Sequence, residues 1–144
     1  MEVHEPDNTT ATILLAEDYP LVRAMVSEIL SLDHYRIIAT GDGREAYAYF
    51  AEHPGEIDLV VTDVVMPKMD GKRLGNQCRS LIPGTRILYM SGYSTNVLDP
   101  DKDLDARADF IAKPFRPAEF LSRVRRLLEI GGEARQPPRK TPVK

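Results

Sequence analysis

The sequence predicts a doubly wound α/β domain, with a five-stranded parallel sheet covered by helices on both faces. Apolar, strand-like runs alternate with periodic, helix-like segments from Thr12 to Glu129, and a succession of βα repeats gives a parallel sheet. The run 57–62 is rich in apolar and β-branched residues, which is typical of a strand buried on both faces. A length of 144 residues leaves room for one such domain.

The first two repeats are delimited by apolar runs and by proline and glycine. The run 12–16 is the first predicted strand, and Pro20 stands in the first turn of the helix that follows, where proline is tolerated. The run 35–39 is the second strand, and Asp42 precedes a helix that the pair Pro54-Gly55 ends. One face of the first helix carries apolar residues at helical spacing: Val22, Met25, Val26, Ile29 and Leu30.

The last three repeats follow the same order. The third strand, 57–62, leads through a loop that begins at Asp63 into the third helix. The runs 86–90 and 110–112 are the fourth and fifth strands, and Pro117 opens the last helix. The apolar face of that helix consists of Phe120, Leu121, Val124, Leu127 and Leu128.

Three segments depart from this rhythm. The segment 97–105 contains Pro100 and several aspartates, which disfavour a helix interior, so we predict a short or broken fourth helix. Residues 1–11 and 131–144 lack apolar periodicity, and we expect flexible tails there, on either side of a domain at 12–130.

Composition argues against several classes of function. With a net charge of −3, basic residues do not outnumber acidic ones, which disfavours nucleic-acid binding. No apolar run approaches the roughly 20 residues that cross a bilayer, and the N-terminus does not resemble a secretory signal. The single cysteine fits a reducing compartment. We expect a cytoplasmic protein without membrane or nucleic-acid partners, monomeric or weakly dimeric.

Charged residues stand at the carboxyl ends of three predicted strands. Glu17 and Asp18 follow the first strand, Asp63 the third and Lys113 the fifth. With strand order 2-1-3-4-5 the first and third strands are neighbours, and ligands bind beyond the strand ends where the winding reverses. Three carboxylates in one place need a cation, and oxygen ligands beside open water suit Mg²⁺.

This charge pattern favours phosphoryl transfer. A metal ion and an ammonium group flanking one carboxylate stabilise the charge of a phosphoryl group in transfer. An aspartate carboxylate is ionised at pH 7, so Asp63 needs no general base. The product is an acyl phosphate, which water hydrolyses, so the modification is a signal that decays.

Four segments at these strand ends resemble the receiver domain of response regulators in two-component signalling, over about residues 12–129. They are Leu14-Leu15-Ala16-Glu17-Asp18, Asp63-Val64-Val65-Met66-Pro67-Lys68-Met69-Asp70-Gly71, Met90-Ser91-Gly92-Tyr93 and Lys113-Pro114-Phe115. The resemblance implies a flavodoxin-like fold and a phosphorelay switch that catalyses only its own phosphorylation and dephosphorylation. It also implies a histidine kinase or a histidine phosphotransfer protein as phosphodonor.

The resemblance implies a role for each acidic residue. Asp63 would accept the phosphoryl group. Mg²⁺ would be held by Asp18, Asp63 and the backbone carbonyl of Val65, with Glu17 acting through water. The first acid is Glu17 rather than the commoner aspartate, and its longer side chain should lengthen the reach to water.

The resemblance implies the remaining roles on the other side of the site. Lys113 would pair with Asp63 and then with the phosphoryl oxygens, and the bond from Lys113 to Pro114 is expected to be cis. Ser91 would donate its hydroxyl to the phosphoryl group, and Phe110 would turn inward as Ser91 moves. Phe110 lacks the hydroxyl of the usual tyrosine, so that hydrogen bond cannot hold its outward state.

Two other classes of function are weighed against this one. Aspartate-nucleophile phosphatases have a similar metal and lysine, but they place a second aspartate two residues after the nucleophile, where this chain has Val65. A receiver-like interaction module that is never phosphorylated would not need the complete acid set. Within the signalling class, the sequence fits both a stand-alone regulator and a receiver attached to a hybrid sensor kinase.

Overall fold

The computed structural model describes residues 2–3, 10–92 and 98–130. Strands and helices alternate along them as predicted, and the strand bounds differ from the predicted ones by no more than two residues. The strands are β1 (Glu2–Val3), β2 (Thr12–Ala16), β3 (Arg36–Thr40), β4 (Leu59–Asp63), β5 (Ile87–Ser91) and β6 (Ala108–Ala112). The helices are α1 (Pro20–Ser31), α2 (Gly43–Glu52), α3 (Gly71–Leu81), α4 (Pro100–Asp103) and α5 (Pro117–Glu129).

Strands β2 to β6 form one all-parallel sheet in the order β3-β2-β4-β5-β6. This is the predicted order 2-1-3-4-5, and the prediction of a flavodoxin-like doubly wound sheet is confirmed. The reversal of winding falls between β2 and β4, because β3 lies on one side of β2 and the later strands lie on the other. The carboxyl ends of β2 and β4 therefore meet at the edge where such folds bind ligands.

Strand β1 was not predicted. Its two residues pair antiparallel with β3, with Val3 opposite Ile38, inside the segment expected to be a flexible tail. The pairing uses main-chain groups that an edge strand leaves open, so no side-chain pattern indicates a strand of this length. The predicted C-terminal tail at 131–144 lies outside the described residues.

Helices pack on both faces of the sheet, as predicted. On one face α1 and α5 cover Ile13 and Leu15 of β2; on the other, α2 and α3 cover Leu14 and Ala16. All five residues of β2 are buried because alternate side chains enter the two cores. The central strand is thus held from both sides, and its carboxyl end has a fixed position.

Local signals set where the helices begin. Pro20 and Pro117 occupy the first turns of α1 and α5. Asp42 and Asp70 cap α2 and α3 by accepting the N–H three residues later, each at 2.8 Å. The predicted short fourth helix is confirmed: α4 has four residues, with Pro100 at its start.

The loop from β4 to α3 is fixed by a close approach of main chains. A Cβ at Gly71 would overlap the main-chain oxygen of Asp63, and a Cβ at Gly43 would overlap that of Met69. Only glycine fits at these positions, because each is packed against backbone that cannot rotate away. The contacts hold the residues after Asp63 against the sheet and against α2.

Candidate functional site

Strand register brings the acidic residues together. Ala16 of β2 lies opposite Thr62 of β4, so the next residues, Glu17 and Asp63, lie side by side. Carboxylate oxygens of Glu17, Asp18 and Asp63 all lie within 4.8 Å of one another. Glu17 is buried, Asp63 is partly buried and Asp18 is exposed, so the cluster opens to solvent on one side.

Lys113 reaches this cluster from the far side of the sheet. It follows β6, and its N–H donates to the main-chain oxygen of Ser91 at 2.8 Å. Its side chain extends past β5, where Nζ donates to Asp63 Oδ2 at 3.1 Å and to Glu17 Oε1 at 3.0 Å. The Lys113–Pro114 peptide bond is cis. One ammonium group therefore serves two carboxylates.

Glu17 is held at both ends of the residue. Its main-chain N–H donates to Thr40 O at 3.2 Å, and its main-chain oxygen accepts from Arg23 Nη1 at 2.9 Å. Its Oε2 accepts the N–H of Tyr19 at 3.1 Å, while Lys113 binds Oε1. With only 1% of its surface exposed, Glu17 has a fixed position.

Burial and neighbouring charges shift the pKa values of Glu17 and Lys113. Burial raises the pKa of the Glu17 carboxyl; the negative charge of Asp63 adds to this, while the Tyr19 N–H and Lys113 oppose it. For Lys113, burial alone would lower the pKa, but the hydrogen bond to Glu17 and the charges of both carboxylates outweigh it, so the pKa is raised. Lys113 is therefore an ammonium at neutral pH.

The cluster opens into a cavity of about 390 Å³. It is lined by Glu17, Asp18, Tyr19, Val22, Asp63, Val65, Gly92 and Lys113. The ligand atoms that the three acids offer are all oxygens, and three carboxylates with one ammonium carry excess negative charge. Oxygen donors with room for bound water fit Mg²⁺, which keeps several of its waters in protein sites. The residues present thus fit the expected ion.

The predicted switch residues lie beside this cavity rather than in it. Ser91 is buried at the end of β5, and its neighbour Gly92 lines the cavity. Phe110 is half-buried on β6 opposite Tyr89, and its main-chain oxygen accepts from Arg123 Nη1. Val65 is half exposed at the cavity wall. Tyr93, the last residue of the third motif, lies outside the described residues.

Sequence reasoning missed three residues of the site: Tyr19, Val22 and Arg23. Tyr19 and Val22 line the cavity because α1 begins directly after the acidic pair. Arg23 folds back from the second turn of α1 to the carbonyl of Glu17. The available signal was the short spacing between the acids and the helix, which places the first turns of α1 over the strand end.

Comparison with known proteins decides the family. Residues 13–125 match the family model described as "Response regulator receiver domain". The chain belongs to this family. It is a receiver domain of two-component signalling, a class of signalling domains that bind Mg²⁺ at an acidic pocket and interact with histidine kinases or phosphotransfer proteins.

Two curated relatives come from Brucella abortus strain 2308. The receiver domain is 35% identical over 120 residues to the sensor kinase CckA, covering 83% of this chain and 13% of the kinase. It is 31% identical over 116 residues to the response regulator receiver protein CpdR, covering 81% of this chain and 95% of CpdR. The chain thus spans a small part of one relative and nearly all of the other.

Solved structures agree with the fold. The receiver domain of the hybrid histidine kinase CckA superposes with a TM-score of 0.69 at 30% identity, covering 82% of this chain and 99% of that chain. The chemotaxis protein CheY4 of Vibrio cholerae superposes with a TM-score of 0.72 at 28% identity, covering 82% and 98%. Among the described residues, no helix is long and apolar enough to span a membrane.

Proposed function

We propose that Asp63 accepts a phosphoryl group from a histidine kinase or a histidine phosphotransfer protein, in a reaction that depends on Mg²⁺. One observation carries the proposal: the only lysine ammonium that the described residues bring to the acid cluster donates directly to Asp63, at 3.1 Å. Asp63 also borders the cavity, so a phosphoryl group can reach it from solvent. Glu17 and Asp18 lie beside it.

In the proposed step, a carboxylate oxygen of Asp63 attacks the phosphorus atom of the donor. The new O–P bond forms as the N–P bond to the donor histidine breaks, and the bonding electrons leave with the imidazole, which takes a proton. The product is an aspartyl phosphate. Hydrolysis by water returns the carboxylate and inorganic phosphate, so the modified state is transient.

Lys113 supplies a fixed positive charge to this step. Its Nζ already donates to Asp63, and the raised pKa keeps it protonated throughout. The phosphoryl group brings about two negative charges at pH 7, which attract the ammonium group more strongly than a carboxylate does. Because Lys113 also binds Glu17 at 3.0 Å, it can shift between the two partners without leaving the site.

Mg²⁺, when bound, neutralises charge that develops on the phosphoryl oxygens. We assign its binding to Asp18, Asp63 and the backbone carbonyl of Val65. Glu17 would act through water; its two carboxylate oxygens already accept from the Tyr19 N–H and from Lys113, which supports an indirect role.

We infer that phosphorylation is read at Ser91 and Phe110. Ser91 ends the strand next to Asp63, so a small movement would bring its hydroxyl to a phosphoryl oxygen. Phe110 lies one strand further, on β6. Their positions on adjacent strands support a concerted change of the β5–β6 edge.

The relatives support a phosphorelay without choosing between two forms. CpdR is named as a receiver protein, and CckA is named as a sensor kinase that is far longer than this chain. We keep both proposals, a stand-alone regulator and the receiver of a hybrid kinase. The full parent chain separates them, and phosphotransfer profiling against candidate kinases and phosphotransfer proteins identifies the donor.

Acetyl phosphate with Mg²⁺ tests the acceptor directly. The wild-type chain should be labelled, and the labelled peptide should contain Asp63. Asp63→Asn should abolish labelling, whereas Asp101→Asn, which removes an exposed aspartate of α4, should leave it unchanged. Chelation of Mg²⁺ should suppress labelling of the wild type.

Labelling that survives in Asp63→Asn would overturn the assignment of the acceptor. Sustained turnover of a phosphomonoester, many times per protein molecule, would instead favour a phosphatase. We expect none, because the second residue after Asp63 is Val65 and has no group that could protonate a leaving alcohol.

A further inference from the structure

Arg23 makes a contact that the proposed chemistry does not use. It lies in the second turn of α1, and its Nη1 donates to the main-chain oxygen of Glu17 at 2.9 Å. Room for the guanidinium exists beside Gly41, where an added Cβ would lie 3.4 Å from Nη1. The side chain therefore bridges the end of β2 to the start of α1, next to the loop after β3.

The carbonyl that Arg23 binds belongs to the first of the two adjacent acidic residues. Glu17 is the first residue beyond β2, and its main-chain oxygen accepts the hydrogen bond from Arg23. Glu17 is almost fully buried and the hydrogen bond is part-buried, so losing the Arg23 donor should weaken the order of this carbonyl. This carbonyl belongs to the peptide bond that joins Glu17 to Asp18, one of the proposed metal ligands.

We propose that Arg23 is a positioning residue of the metal site: its guanidinium fixes the Glu17–Asp18 peptide, and thereby both acidic side chains, for a divalent cation. The inference rests on the proposed function, since it assumes that these acids bind Mg²⁺. Arg23 itself touches neither the ion nor the phosphoryl group.

A positioning role and a simple charge effect predict opposite changes in Mg²⁺ affinity when Arg23 is replaced. Removing a positive charge near three carboxylates should tighten binding of a divalent cation if charge alone matters. Removing a positioning contact should weaken binding, because the acids must then be ordered by the ion itself. Outer contacts that orient metal ligands typically contribute about tenfold or more to affinity.

The test is Mg²⁺ binding measured by isothermal titration calorimetry on the full chain. Arg23→Met, which keeps the aliphatic stem and removes the donor, should weaken Mg²⁺ binding about tenfold. Arg23→Lys, which keeps one donor and the charge, should recover part of the loss. Arg44→Met is the matched control, since Arg44 is exposed on α2. The Mg²⁺ affinity of this variant should stay within about twofold of the wild type.

A second measurement needs no metal. Hydrogen exchange of the Tyr19 amide, which donates to Glu17 Oε2, should be faster in metal-free Arg23→Met than in the wild type. Amides in the middle of β5 should exchange as before, which separates a local effect from global loss of stability. Unchanged or tighter Mg²⁺ binding in Arg23→Met, or an unchanged Tyr19 amide, overturns the proposal.

Failure of the proposed function gives a different pattern. If the wild-type chain bound no Mg²⁺, the metal chemistry would be wrong, and exchange at Tyr19 alone would decide whether Arg23 orders the acidic turn. If Arg23 acts by position, saturating Mg²⁺ should restore acetyl phosphate labelling of Arg23→Met to the wild-type rate. A rate that stays low at saturation would mean that Arg23 acts on the chemical step, and would also overturn the proposal.

Discussion

The acid pocket and the α4 segment, residues 98–108, are held in different ways. In the pocket, main chains meet without intervening side chains, as at Gly71 and Asp63, and the carboxylate of Glu17 is buried. In the α4 segment the described contacts include two ion pairs, each with one partner open to solvent: Lys72 to Asp103 at 3.3 Å and Arg79 to Asp105 at 2.7 Å.

The comparison shows that the acid pocket is held more rigidly than the α4 segment. A reactive carboxylate needs neighbours held in place, because a shift of about 1 Å in such a site costs much of the rate. The α4 segment can rearrange at lower cost, because ion pairs open to solvent contribute only about 0–1 kcal/mol each. Substitutions should therefore have large effects in the pocket and small ones at α4.

The largest effect is expected at Gly71. Gly71→Ala would push Cβ into the main-chain oxygen of Asp63, which cannot move without displacing β4. We expect a loss of about 3 kcal/mol in the free energy of unfolding, at the upper end for overpacked sites. Urea unfolding followed by circular dichroism measures it. Gly92→Ala is the control, because its Cβ would meet nothing closer than Lys113 Cβ at 3.9 Å; equal losses in the two variants would contradict the picture of a main-chain frame.

Mg²⁺ should stabilise the folded chain through the pocket. At a concentration one hundred times its Kd, the ion should raise the free energy of unfolding by about 2.7 kcal/mol. Asp18→Asn should remove most of this increment, since it takes away a proposed ligand. In the absence of metal the same variant should be no less stable than the wild type, because one of three neighbouring carboxylates is neutralised. Thermal unfolding with and without Mg²⁺ measures both effects, and a variant that keeps the full increment would remove Asp18 from the ligand set.

The two regions also differ in how far the sequence predicts them. Glu17, Asp63 and Lys113 were found because each stands at the end of an apolar run, and parallel topology brings strand ends together. The sequence does not predict that Lys113 binds both acids or that Arg23 reaches back to Glu17. Both contacts depend on the strand register and on how far each side chain extends, and no local pattern gives these. At α4, Pro100 and the aspartates predicted a short helix, but not the partners of Asp103 and Asp105, which come from α3.

A moderate effect is expected at Asp103. Its side chain is 6% exposed, and its Oδ2 accepts the N–H of Asp99 at 2.7 Å besides facing Lys72. Asp103→Ala should cost about 1–2 kcal/mol, because a partly buried N–H loses its acceptor. Lys72→Met removes only the exposed partner and should cost less than about 1 kcal/mol. Urea unfolding of both variants measures the difference; a larger loss in Lys72→Met would show that the ion pair, and not the capping bond, holds α4.

The smallest effect is expected at Asp105, and it should depend on pH. The hydrogen bonds from Arg79, at 2.7 and 3.1 Å, lower the pKa of the Asp105 carboxyl, although its side chain is 52% exposed. A lowered folded-state pKa adds stability above the unfolded value, near ~3.9, and that stability is lost as the pH falls through the folded value. Asp105→Asn should therefore cost less than about 1 kcal/mol at pH 7, and the difference from the wild type should vanish in acid.

Salt and a matched variant sharpen this last measurement. At about 1 M NaCl, where the screening length is near 3 Å, the cost of Asp105→Asn should shrink, since the pair is open to solvent. Asp101→Asn removes an aspartate of the same segment that has no arginine partner among the described contacts, and its cost should not change with salt. A loss at Asp105 as large as that at Gly71, or one that persists in acid and salt, would mean that α4 is fixed as firmly as the pocket, and a segment so fixed could not rearrange at low cost.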